Sequence, residues 1–453
     1  MLSSSSLSLS DLFTWRKLHL MRYVVGILIV IDGYPLIFFF KETLRIAPGS
    51  TAFTAAFLAL GFILMIPLHF LHKLYRLNTT LLKQALLFFA VIIFYMAFYR
   101  DQWFKDATMD SIYYVYVALF LFLLINIPND IIEVFVPITI AFTVVSNLAL
   151  VYALLTDPTW SIGQRAAIQY GEGEYRSGNP HVFARNALMS VVACGIWAFR
   201  PQTSFIPRIL TLFASVFGMG ILVMTQTRSS IVALILIIGL FLLFNIRPRQ
   251  IKMAVRGLFK PASLALLAVM FIGISVFMKR NGDLIAVLYG YAVAFIERNL
   301  ENVYAILGIK IQNQFAASLD ASAGNRATSF QYLQNVIEGH FHVILVGQGY
   351  KSTYLDVPLM EALINHGIPG FVTFAAFCFS TLFYCLKSMR DNPDPLSIFL
   401  SYFFIMLFVQ LFTNGRPYEI SFWHPFCLMI RFLGISHLYP PNLRSEPVLA
   451  PAA

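Results

Sequence analysis

Apolar runs about as long as a membrane is thick recur along nearly the whole chain, as in FVPITIAFTVVSNLALVYALL (135–155) and IVALILIIGLFLLF (231–244). Water cannot satisfy backbone groups inside a bilayer, so a segment that crosses it alone must be a helix. Runs of roughly 17 to 25 residues are the right length for helical spans, and the short alternating segments of a β-barrel are absent. Composition agrees: 58% of the 453 residues are hydrophobic and 12% are charged, with a mean hydropathy of +0.73. An ordinary soluble domain is excluded. The expected fold class is an all-α integral membrane protein.

Hydropathy places twelve spans, at about 22–40, 51–70, 80–99, 111–127, 131–155, 182–199, 205–225, 229–246, 262–278, 367–386, 396–413 and 420–437. The leader MLSSSSLSLSDLFTWRKLHLMR has no small-residue cleavage site behind its first apolar run, so the first span is expected to be kept. The loop NIRPRQIKMAVRGLFKP carries Arg247, Arg249, Lys252, Arg256 and Lys260 and no acid, which assigns it to the cytoplasm. Alternation from there puts both termini in the cytoplasm. The expected organisation is a cytoplasmic N-terminus (1–21), spans 1 to 9 with short loops (22–278), a large helical periplasmic loop (279–366), spans 10 to 12 (367–438) and a cytoplasmic tail (439–453). Nearly all of the net +10 charge then lies on the cytoplasmic face, where it fits anionic lipid headgroups and gives no argument for nucleic acid. Cys194, Cys378, Cys385 and Cys427 all fall in apolar runs, which suggests neither a disulfide framework nor a metal site. No internal repeat is visible, against a transporter built from two similar halves.

Charges at a membrane edge or inside it are costly, about 2.5–3.5 kcal/mol each at a helix centre, so those present call for a reason. On the outer side Arg185 opens the sixth span, Arg228 lies in the tight link TQTRSS, Arg326 begins a helix in the large loop, and Arg416 sits in TNGRPYEIS. Arginine stays charged and its planar fork of donors fits phosphate oxygens, so several at one face suit a lipid-linked diphosphate. Each also has a plainer reading: Arg228 as a headgroup anchor, Arg416 as an anchor or a partner of Glu419. The loop helix RATSFQYLQNVIEGH is expected to start near Gly324 and Asn325. It carries Phe330, Leu333, Val336 and Ile337 at helical spacing, so one side should lie on the membrane or on the bundle. His181, His340, His342 and His366 are the outer-side histidines, and His340 with His342 lacks the spacing of a metal motif. Asp32 is an intramembrane acid, read as a hydrogen-bonded structural group ahead of a proton relay.

The segments TQTRSS (225–230), NRATSFQYLQNVIEGHFHVILVGQGY (325–350) and YLDVPLMEALINHGIPGF (354–371), in that order and spacing, resemble the O-antigen ligase and polymerase superfamily. The resemblance is strongest over about 180–375. It implies a glycosyltransferase of the GT-C class in a bacterial inner membrane, metal-independent, inverting and without a cofactor. Its donor would be an undecaprenyl-diphosphate-linked oligosaccharide on the periplasmic side. Two family arginines that hold the diphosphate map onto Arg228 and Arg326, and Arg185 is a weaker third candidate that could line the same face. Where ligases of the superfamily carry a histidine ahead of GxxG, this chain has Asp356. That favours a polymerase of O-antigen or exopolysaccharide, with a chain-length-determining co-polymerase as a further partner, over a ligase that acts on lipid A-core. A lipid-linked oligosaccharide flippase is the alternative from another class.

Asp356 reads either as the general base for the acceptor hydroxyl or as the N-cap of the helix VPLMEALINHG. On that helix Glu361 lies about 140° around from Asp356, so the two should not act as a carboxylate pair. His366, about 80° around, is the second candidate base, or a helix C-terminal cap.

Overall fold

The computed structural model describes residues 15–67, 74–98, 107–161, 164–170, 177–200, 203–245, 321–391 and 394–435, with isolated positions between 268 and 293. The expected ninth span and most of the first half of the large loop lie outside the described residues. A helix occupies each of the other expected spans: α1 Trp15–Asp32 with α2 Tyr34–Phe38, α3 Thr51–Met65, α4 Thr79–Phe98, α5 Ala107–Asn126, α6 Phe135–Thr156, α7 Pro180–Phe199, α8 Phe205–Met224 and α9 Arg228–Phe244. After the large loop's α10 Ala321–Gly339 and α11 Phe341–Val346 come α12 Pro358–Asp391, α13 Pro395–Gln410 and α14 Ile420–Phe432. Six of these helices are long and apolar enough to cross a membrane, or seven if α1 and its bent continuation count as one. The protein is therefore an all-α, multi-pass membrane protein. A two-residue hairpin, Gln169–Tyr170 with Ser177–Gly178, is the one sheet among the described residues.

Local chemistry sets the helix ends. Ser50 accepts a bond from the Phe53 amide at 3.1 Å, Asn179 from His181 at 3.1 Å and Asp394 from Ser397 at 2.9 Å. Pro180 and Pro395 occupy first helical positions, where a missing N–H costs nothing. The first span breaks at Gly33, and the chain turns by 76°. Pro35 follows two residues later and disfavours a continuous helix there, and Phe39–Thr43 then winds as a π-helix. α1 and α3 cross where a Cβ on Gly26 would stand 2.6 Å from the Gly61 carbonyl oxygen, so the backbones approach as only small residues allow.

The core runs through the bundle as a nearly continuous aromatic seam. Trp423 of α14 stacks on Phe88 of α4, meets Phe377 of α12, and donates its indole N–H to the Pro417 carbonyl at 2.9 Å. Contacts at the two ends show that the described helices alternate in direction. At one end Lys351 meets Asp110, Arg185 meets Ser421 and Ile31, and Tyr95 meets Val346. At the other, Arg16 pairs with Asp130, Arg22 reaches Ile66, and Asn78 and Arg431 bind neighbouring helix ends. The first is called the cap end, because α10 and α11 lie over it.

α10 begins at Ala321, ahead of the expected start at Gly324 and Asn325, which fall inside the helix. The apolar positions of α10 also divide: Val336 is buried with Val343, Leu355 and Ile364 in a small core of the cap, with Leu333 packed against it, whereas Phe330 and Ile337 are exposed.

Candidate functional site

α12 starts at Pro358, where the Val357 carbonyl accepts the Glu361 amide at 2.9 Å. It breaks at Gly367 (φ 61°) and continues to Asp391. The first half, Pro358–His366, carries the polar centre of the cap end. Glu361 is fully buried. Its Oε1 accepts from Arg416 Nε at 2.6 Å, from Asn365 Nδ2 at 3.4 Å and from the Tyr418 hydroxyl, and its Oε2 accepts from the Leu355 amide at 3.1 Å. Arg416 also donates to the Thr353 carbonyl at 3.2 Å, and its guanidinium lies over the rings of Tyr354 and Tyr418 at 5.2 and 5.1 Å. A buried carboxylate is tolerable only when paired and hydrogen-bonded, and Glu361 is both.

The same side chains fasten the loop 352–356 by its backbone. Asn365 Oδ1 accepts from Ser352 Oγ at 2.8 Å and from the Thr353 amide at 3.1 Å, and its Nδ2 donates to the Thr353 carbonyl at 3.0 Å. This loop presents Asp356. Its amide donates to Ser329 Oγ on α10 at 3.3 Å, and its Oδ1 accepts the Tyr354 hydroxyl at 2.8 Å. Asp356 lies one residue before Val357, whose carbonyl starts the helix, so it stands outside the cap position. Beside it Lys351, with φ 55°, reaches Asp110 at 2.5 Å, and the Tyr114 and Tyr350 hydroxyls are hydrogen-bonded.

Electrostatics keep these groups polarised. Burial, followed by the Asp356 hydrogen bond, pushes the Tyr354 phenol above its usual range, so it remains a proton donor. Burial works to lower the Arg416 pKa, but Tyr418 and Glu361 outweigh it and hold the guanidinium charged. The Glu419 carboxyl is pushed up, mainly by burial.

The expected site residues are placed unequally. Arg228 opens α9 two residues after Gln226 (φ 54°), behind the N-cap Thr227, and is half-buried, and the Ala166 amide fastens to the Met224 carbonyl at 2.9 Å just before that link. Arg326 lies on α10, three residues before Ser329; its side chain is outside the described residues. Arg185 is directed into the bundle: it donates to the carbonyls of Ser421 and Ile31, each at 3.0 Å, and its Nε is 3.8 Å from Asp32. It acts there as a tie between three helices and a counter-charge for Asp32. His366 is fully buried between the rings of Tyr95, Tyr350 and Tyr418, and neither ring nitrogen has a hydrogen-bond partner among the described residues. Asp356 is buried as well, at 7% exposed against 0% for His366, and differs in that its carboxylate is hydrogen-bonded, to the Tyr354 hydroxyl. Arg416 pairs with Glu361, where the sequence suggested Glu419.

Glu361, Asn365, Tyr418 and Lys351 were not singled out as site residues from the sequence. The available signal was the cost of placing Glu361 and Arg416 at the ends of apolar segments. Among the described residues no three His, Cys, Asp or Glu side chains converge to hold a metal ion. No family model matches this chain, and no curated protein matches it significantly.

Proposed function

We propose that the protein is a polysaccharide polymerase of O-antigen or exopolysaccharide type, transferring a glycan from undecaprenyl diphosphate to an incoming lipid-linked repeat unit. The observation that carries this reading is the hydrogen bond from the Asp356 amide to Ser329. It joins the loop of the candidate base to the helix that bears Arg326, one turn away, at the end of the bundle where Arg228 opens α9. Resemblance in three sequence segments thus meets contact between two of them.

In the proposed reaction an acceptor hydroxyl attacks the anomeric carbon of the donor as the bond from that carbon to the diphosphate oxygen breaks. Asp356 takes the hydroxyl proton. Charge that builds on the departing diphosphate is met by Arg228 and Arg326. Tyr354 orients the carboxylate by donating to one of its oxygens and leaves the other for the acceptor. The basic loop 245–261 supports a periplasmic position for this end of the bundle in a bacterial inner membrane. An acid at position 356, where ligases have histidine, supports polymerisation over transfer to lipid A-core.

Purified protein in detergent, given a lipid-linked repeat unit and no ion gradient, should lengthen it. Asp356→Ala should abolish extension, and Arg228→Lys should impair it because a point charge does not replace a two-pronged donor. Normal amount and length of polymer from Asp356→Ala would overturn the assignment of the base. Extension of lipid A-core alone would make the protein a ligase.

A further inference from the structure

We infer that the cap has a lipid-inserting face, made by Phe330 and Ile337 of α10 and Phe341, Leu345 and Val346 of α11, that sits among the acyl chains at the edge of the bilayer. On a helical wheel at 100° per residue, Ser329, Tyr332, Leu333 and Val336 point to one arc of α10, the arc against the cap core. Gln331, Gln334, Asn335 and Glu338 occupy the opposite arc and are exposed. Phe330 and Ile337 are seven residues apart, so they stack along a third strip between these two, and both are roughly half exposed. Three arcs of this kind suit a helix at an interface: core on one side, water on another, and an apolar strip between them.

α11 continues that strip and fixes its height. Phe341 and Leu345 are four apart on one face, and with Val346 all three are about half exposed, while Val343 between them is buried in the cap core. The Tyr95 hydroxyl donates to the Val346 carbonyl. Tyr95 is in the last turn of α4, where Phe94 and Phe98 face outward with more than half of their surface exposed. On the other flank a Cβ on Gly367 would stand 2.5 Å from the Leu345 carbonyl oxygen, and Ile368 and Val372 face outward immediately after that glycine. α11 is thus seated between the outer ends of two apolar helices, and its exposed face is continuous with their outward faces. In a multi-pass protein those outward faces meet lipid. An exposed apolar patch with this continuity is lipid-covered, not water-covered.

The same small core that holds α11 also contains Leu355, the neighbour of Asp356. Insertion of the strip therefore sets the depth of Asp356 relative to the headgroups. This last step rests on the proposed function; the lipid contact does not.

The test is collision accessibility of a nitroxide in the full chain, reconstituted in phospholipid vesicles. The four native cysteines are buried, so the unmodified protein should take up little label. Leu345→Cys and Phe341→Cys should each give a label that dissolved oxygen reaches severalfold better than a water-soluble nickel chelate does. Glu338→Cys, on the polar arc, should give the reverse order. Free access of the chelate at both Leu345 and Phe341 would place the strip in water and overturn the inference. Shielding from both colliders would overturn it in favour of a protein partner or a second copy. The measurement uses no glycan, so its failure and the failure of the polymerase reading are separate results.

Discussion

Two arginines, one at each end of the bundle, one buried and the other largely so, solve the same desolvation problem in opposite ways. Arg431, only 1% exposed, donates to the carbonyls of Leu124, Ile127 and Arg76 and to the Asn129 side chain, at 2.5–3.4 Å. It gathers carbonyls left over where helices end, with bonds that do not change with pH. Arg416 is paired with a buried carboxylate and lies against two phenols, and both are tied to the loop of Asp356. The acceptors described for the first arrangement are carbonyl and amide oxygens, and it suits a clasp. The second couples charge, aromatic faces and loop position, and any change in one is felt by the others.

Substitution should separate these roles. The largest effect is expected from Arg431→Ala, which strands several carbonyls at about 1–3 kcal/mol each; thermal unfolding and folded yield should both collapse, while activity per folded molecule stays near normal. Arg416→Ala leaves Glu361 buried and unpaired, a loss of about 3–5 kcal/mol, and here activity should fall further than stability explains. Adding Glu361→Gln should recover much of the stability, because a neutral amide oxygen still accepts from Tyr418, but little of the activity. If both properties recover together, Arg416 is a clasp like Arg431 and the contrast fails.

Tyr354→Phe should be milder. Losing one hydrogen bond to a carboxylate, about 1.5 kcal/mol, predicts roughly tenfold slower chain extension, with the melting temperature almost unchanged because the ring is half exposed. The smallest effect concerns pH. Burial raises the Glu419 carboxyl above its ordinary 4.5, so the folded state holds this proton more tightly than the unfolded state. Stability should therefore decline as pH climbs from the ordinary glutamate range through the raised one. Glu419→Gln should flatten that part of a stability-against-pH curve; an unchanged slope would show that Glu419 does not contribute to it.

The bundle was legible in the sequence because span length and hydropathy are local properties. The break at Gly33 was present too, in Asp32-Gly33-Tyr34-Pro35, but hydropathy averaging hides it. The angle argument placed Asp356 on one helix with Glu361, whereas the helix begins only after Asp356. It could not supply Arg416, which is 55 residues away along the chain, nor Arg185 as the partner of Asp32, 153 residues away (185 − 32). Each expensive charge was visible as a charge; its partner was set by how helices pack. The plain local explanation of Arg416, pairing with Glu419, failed for that reason.

Gly347 and Gly367 each sit where a Cβ would collide with the other's strand of backbone, within 2.5 Å of the Asn365 and Leu345 carbonyl oxygens. Mechanically this is a fixed joint: α11 and the membrane part of α12 cannot slide without losing that fit. The inner half of the cap is thereby fixed to the outer end of the membrane part of α12, and a side chain added at either glycine should displace α11 as a whole.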